Sequence, residues 1–156
     1  MTERVHLRPA RPDEAGYLSD LAVRSKGYWG YDDKFLATSR VLLLVRPQDV
    51  VPGRVTVAEE DGTVVGFYAL EGQPPAGVLE FMFVDPDHIR GGVGRRLWAH
   101  AVATARDAGL ASFDIDSDPF AEEFYLAMGA VRTGTSPSSV RPGRELPRLT
   151  FTVPSD

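Results

Sequence analysis

The chain contains no cysteine. That excludes a disulfide scaffold, a thiolate metal site and a cysteine nucleophile together. Lysine is scarce as well: of 17 basic residues only Lys26 and Lys34 are lysine. The longest aliphatic run, Val41 to Val45, is far short of the roughly 20 apolar residues a membrane helix requires. The first ten residues, MTERVHLRPA, lack the apolar stretch of a signal peptide. Positive charge is in deficit, 17 basic against 22 acidic residues for a net charge of −5, whereas general nucleic-acid binding calls for a basic face. These absences make a cytoplasmic protein the expectation, with neither membrane nor nucleic acid as partner. The 156 residues are 43% hydrophobic and 25% charged, the composition of one globular domain spanning residues 1–156.

The pattern along the chain alternates between sheet and helix. Val5–Leu7 reads as a short strand, and Asp13 and Glu14 open a helix with Ala15, Leu18, Leu21 and Ala22 on one face. Asp32 is placed to cap a second helix carrying Phe35, Leu36, Ser39, Leu42 and Leu43. Val55–Glu59 and Val64–Leu70 flank Asp61-Gly62, a two-residue hairpin signal, and Gly66 marks a bulge. Residues 71–75 read as a loop before a strand over Val78–Val84. Val93, Leu97, Ala101, Ala105 and Ala108 define one face of a helix, widened by Trp98 and Val102, that stops at Gly109. Then come a strand over Ala111–Ser117, a helix from Asp118-Pro119 to Met128, a strand over Ala130–Thr133, a loop over Ser136–Gly143 and a strand over Leu149–Val153. The order β-α-α-β-β-β-α-β-α-β-β describes a mixed α/β fold. Its sheet is largely antiparallel, with one crossover helix.

The sharpest local feature is Arg90-Gly91-Gly92-Val93-Gly94-Arg95, after a strand and at the start of a helix. Clustered glycines let backbone amides crowd together, and a helix start adds free N–H groups and positive dipole. This makes an anion cradle suited to pyrophosphate; an ordinary turn into a helix is the plainer alternative. The cluster is not a dinucleotide fingerprint, because Leu97 stands at the third glycine position, and no Gly-Lys-Ser/Thr of a Walker loop occurs. His6, His88 and His100 are scattered, so no metal site is expected. No Gly-x-Ser-x-Gly elbow supports a serine hydrolase.

The segment Met82-Phe83-Val84-Asp85-Pro86-Asp87-His88-Ile89-Arg90-Gly91-Gly92-Val93-Gly94-Arg95-Arg96-Leu97 resembles motif A of the GCN5-related N-acetyltransferase (GNAT) superfamily. About 25 residues on, Asp118-Pro119-Phe120-Ala121-Glu122-Glu123-Phe124-Tyr125-Leu126-Ala127-Met128-Gly129-Ala130 resembles its second signature. Trp29-Gly30-Tyr31 and Pro142-Gly143-Arg144 are similar to a bacterial branch of small members.

The resemblance implies a GNAT-like fold with splayed central strands and acetyl-CoA as co-substrate, without metal. It implies donor contacts at Met82, Phe83 and Val84 through backbone, at Arg90, Gly91, Gly92, Val93, Gly94 and Arg95 around the pyrophosphate, and at Asp118. Ile89 and Asp118 depart from the residues many members carry at these places, and Asp118 also reads as a helix cap. Direct attack by an amine needs a proton acceptor. Glu80 is the first candidate, sharing a strand face with Met82 and Val84; a solvated strand-end glutamate is the equal alternative. Asp114 and Asp116 stand in reserve. Tyr125 matches the family tyrosine that hydrogen-bonds the departing CoA sulfur. The acceptor is a small-molecule or peptide amine of undefined identity, with Tyr28, Trp29, Tyr31 and Ser136 through Arg144 in the entry region the resemblance implies; core and dimer contacts are the plainer reading of the three aromatics, and the resemblance allows a homodimer. A non-catalytic acyl-CoA sensor of the same fold is the rival reading.

Overall fold

The structure, a computed structural model, describes residues 5–51, 54–89, 91–138 and 143–155. Among these residues the strands are β1 (Val5–Pro9), β2 (Val55–Glu60), β3 (Thr63–Gln73), β4 (Ala76–Val84), β5 (Ser112–Asp116), β6 (Val131–Pro137) and β7 (Glu145–Thr152). The helices are α1 (Ala15–Gly27), α2 (Asp33–Leu42), α3 (Val93–Asp107) and α4 (Glu122–Ala127). Four 3-10 turns, Pro12–Glu14, Pro47–Asp49, Pro86–His88 and Pro119–Ala121, all begin on proline. The fixed φ of the ring suits the first position of a helical turn, and its missing N–H costs nothing there. The seven strands are hydrogen-bonded in the order β1-β2-β3-β4-β5-β7-β6. Only β4 with β5 is parallel among the registered pairs.

The element order is the expected one. Some boundaries moved outward: β3 runs on to Gln73 where a loop over 71–75 was expected, and β6 reaches Pro137; others moved inward, β5 to Ser112–Asp116 and α4 to Glu122–Ala127. Backbone pairing extends a strand past the point where its side chains stop alternating. The β7 strand lies between β5 and β6, a placement that linear order does not reveal. Of the expected 136–143 loop, residues 139–142 lie outside the described residues.

The chain divides into two compact units, Met1–Ala69 with Phe81–Ala99, and Leu70–Glu80 with His100–Asp156. In the first, Leu18, Leu21 and Ala22 of α1 pack with Val55, Val57, Val64 and Phe67 of β2 and β3. Phe81 and Phe83 of β4 lie against that core, their rings 6.3 and 6.0 Å from Phe67. Asp32 caps α2, accepting a 2.7 Å hydrogen bond from Phe35 N. The β2–β3 register shifts so that Ala58 pairs with Gly66 and Glu59 with Val64, leaving Val65 as the extra residue of a bulge beside the expected glycine. Gly66 is required for a second reason. A Cβ there would lie 3.0 Å from the Phe83 carbonyl oxygen and 3.2 Å from Val93 Cγ1.

In the second unit, Phe113 and Ile115 of β5 and Leu149 and Phe151 of β7 are buried, with Phe113 and Phe151 rings 5.4 Å apart. The alternate residues of the same strands turn the other way. No helix among the described residues is long and apolar enough to cross a membrane.

Candidate active site

In the first unit β4 ends at Val84, and Asp85 then caps the proline turn by accepting a 3.0 Å hydrogen bond from Asp87 N. Gly91 N donates to His88 O at 3.2 Å, and Arg96 N donates to Gly92 O at 3.1 Å, the first helical bond of α3. By helix geometry, the amides of 92 through 95 precede the first that can find an intrahelical acceptor. Gly92 adopts φ +82°, which L side chains rarely take, and a Cβ on it would meet nothing within 4 Å. Gly91, Gly92 and Arg95 are exposed. The Val93 side chain is buried at 1% exposure, so only its amide is available to a ligand. A glycine-lined, uncovered helix start with an exposed arginine fits a pyrophosphate. Arg90, expected in this cradle, lies outside the described residues.

Along β4 the side chains alternate. Phe81 and Phe83 pack on the core, which leaves Met82 and Val84 for the opposite face. Of the three residues expected at the donor arm, Phe83 therefore has only backbone to offer.

In the second unit the parallel register pairs Ala76 with Ser112, Gly77 with Phe113 and Val78 with Asp114, and goes no further. Both strands continue, β4 to Val84 and β5 to Asp116. Gly77 and Leu79 are buried while Val78 and Glu80 are exposed. Register and alternation thus bring Glu80, Asp114 and Asp116 to one sheet face. The two aspartates have partners. Arg148 Nε and Nη2 donate to Asp116 at 2.8 and 3.1 Å, and Thr150 Oγ1 donates to Asp114 at 2.8 Å.

Tyr125 of α4 is 7% exposed. Burial pushes its phenol up, and the charge of Asp118 adds to the shift. The group is therefore a neutral hydrogen-bond donor across the physiological range. Phe124 stands beside it in edge contact, ring centroids 5.3 Å apart. Asp118 caps the turn before α4, accepting from Phe120 N at 2.9 Å, and lies 3.8 Å from Arg144 Nη2. Its cap role is thus visible directly. Of the aromatics expected near the acceptor, Tyr28 and Trp29 meet edge to face at 4.9 Å, and Tyr31 stacks on Phe35 at 4.1 Å. Lys26 Nζ sits 5.4 Å above the Tyr31 ring.

One feature escaped sequence reasoning. Arg24 of α1 donates to Asp85 at 3.0 Å across 61 residues of sequence. No local signal announces such a pair; the Asp-Pro before the glycines marks only one end of it.

The chain belongs to the acetyltransferase (GNAT) family, whose model matches residues 20–130. The fold is similar to a GCN5-related N-acetyltransferase from Rhodopseudomonas palustris, with a TM-score of 0.79 and 22% identity over 97% of this chain and 98% of that one. It is similar to the PaiA N-acetyltransferase from Thermoplasma acidophilum in complex with coenzyme A, with a TM-score of 0.77 and 16% identity over 95% and 98%. An aminoglycoside 6′-N-acetyltransferase complexed with coenzyme A matches with a TM-score of 0.71 and 16% identity over 95% and 97%. Comparison with curated proteins gives no match.

Proposed function

We propose that this protein transfers an acetyl group from acetyl-CoA directly to a primary amine. The observation that carries the reading is the exposed Gly91–Gly92 backbone at the start of α3, with Gly92 at φ +82° and Arg95 exposed beside it, in a chain of this family. Similar structures hold coenzyme A. The donor supplies an activated thioester carbonyl. The amides of Gly92 through Arg95 and the Arg95 guanidinium hold its pyrophosphate, and backbone near Met82, Phe83 and Val84 pairs with its pantetheine arm.

The amine nitrogen attacks the carbonyl carbon, forming the C–N bond as the C–S bond breaks. The ammonium proton passes to Glu80, directly or through water. Glu80 is preferred to Asp114 and Asp116 because alternation along β4 puts it on the strand face of Met82 and Val84. Tyr125, held neutral by burial, donates a hydrogen bond to the leaving sulfur. Asp118 holds the start of the α4 segment, so that its contribution to the donor is through structure.

Thermal unfolding with acetyl-CoA, CoA, ATP and NAD in separate wells tests the donor. A ligand at about 100 times its dissociation constant adds about 2.7 kcal/mol, a shift of several degrees at this size. Stabilisation by both CoA species alone supports the reading, and no shift with either at millimolar levels overturns it. An amine panel then reads turnover. E80Q is expected to lower kcat by about 100-fold with CoA affinity kept. Binding without turnover in the parent on any amine points to an acyl-CoA sensor.

A further inference from the structure

Several charged groups of the first unit meet at the entry to the glycine loop. Asp85 accepts from Arg24 Nη2 at 3.0 Å and from Asp87 N at 3.0 Å. His88 places Nε2 3.2 Å from Glu60 Oε1 at the end of β2, and Nδ1 3.9 Å from Asp85 Oδ1. Nδ1 is buried and has no hydrogen-bond partner. The main chain of the same residue ties the turn at both ends. His88 N donates to Asp85 O at 2.8 Å, and Gly91 N donates to His88 O at 3.2 Å.

A neutral imidazole has one N–H to give. Directed at Glu60, it leaves Nδ1 as a bare acceptor, buried and facing a carboxylate. Burial without a partner costs free energy, and two acceptors face to face repel. The imidazolium turns the repulsion into attraction, because two N–H groups then face two carboxylates, at 3.2 and 3.9 Å. The charged groups at the ring are Glu60 from β2 and Asp85 just after β4, with Arg24 of α1 offsetting part of the Asp85 charge. Protonation also places a positive charge three residues from Gly91.

We propose that His88 is a positioning residue that works as a proton-operated latch. Its imidazolium, bridging Glu60 and Asp85, fixes the turn from which the loop amides project, and so tightens donor binding as pH falls. The proposal rests on the reading of the loop as the donor's phosphate site.

Calorimetric titration of the full chain with CoA, at pH about 5.5 and about 8.5 on either side of the imidazole range, tests the latch against H88Q. Glutamine keeps an N–H for Glu60 but takes up no proton. Comparing variants at each pH cancels the titration of the ligand's own phosphates. The parent is expected to bind about 5- to 10-fold tighter than H88Q at the lower pH and within about twofold at the higher, since a coupling of one pH unit is tenfold. E60Q should narrow the gap.

In the ligand-free protein, the Gly91 amide resonance should follow the His88 ring through its titration. This readout needs no ligand and no variant. If Gly91 does not follow the ring, the latch is wrong whatever CoA does. A gap that stays flat with pH overturns control of the donor. Absence of CoA binding in parent and variant alike, with Gly91 still tracking His88, removes the donor reading and with it this role for the latch.

Discussion

A methyl group at position 66 would press on the Phe83 carbonyl oxygen at 3.0 Å and on Val93 at 3.2 Å, where a backbone and a buried helix start have little room to yield. Gly66→Ala is expected to destabilise by about 1–3 kcal/mol in chemical denaturation, despite the ordinary gain of alanine over glycine in a strand; an unchanged midpoint would mean that the strands part freely. Tyr125 carries a pH signature. Burial raises its folded titration above that of the unfolded chain, so the folded state holds the proton longer. Stability contributed by the neutral phenol is complete below about pH 10 and declines above it. Y125F should flatten that alkaline decline, measured by denaturation across pH, while lowering kcat. The sequence made Tyr125 and the glycines legible because each sits inside a contiguous motif. Arg24 and Glu60 were illegible, because their partners are brought near only by the fold.

At the scale of elements, caps carried most of the readable information. Asp32 before α2 and Asp118 before α4 were both expected as caps, and both accept a main-chain N–H, at 2.7 and 2.9 Å. Replacing Asp32 by alanine should cost about 0.5–2 kcal/mol in thermal or chemical unfolding. At Asp118 the same logic separates cap from ligand contact. D118N keeps the capping oxygen, so its melting temperature should stay near that of the parent, whereas D118A should lose stability along with CoA affinity. The period of α3 predicts a buried face of Val93, Leu97, Ala101, Ala105 and Ala108; the first four are buried at 1% exposure or less, whereas Ala108 follows the helix end at Asp107 and is exposed. The end of β3 lies beyond its side-chain pattern, since proline and glycine punctuate that pattern but do not stop backbone pairing as far as Gln73, whereas β5 is one residue shorter at each end than its pattern.

For the whole molecule, the two units are each discontinuous in sequence. Their boundaries fall inside β3, β4 and α3, so no linker exists at which to cut. A fragment of residues 100–156 lacks the strand start at Ala76–Val78 that pairs with β5. It is expected to show no cooperative unfolding transition by circular dichroism. Acid should weaken the molecule through Glu14. Hydrogen bonds from Arg8, at 3.1 and 2.7 Å, hold its carboxyl below the usual range. The stability it contributes is present above that range and is lost as pH falls through the folded value; E14Q should reduce the acid slope of the denaturation midpoint. The position of β7 was the part of the topology that no local pattern encoded, because it depends on pairings between segments far apart in the chain. That position also sets a timetable. Translation delivers β5 and β6 before the strand that belongs between them, and each must wait on the ribosome with an open hydrogen-bonding edge until residues 145–152 emerge. Folding of this half during synthesis is therefore a late event, and the interval before it is when the nascent chain is most exposed to mispairing.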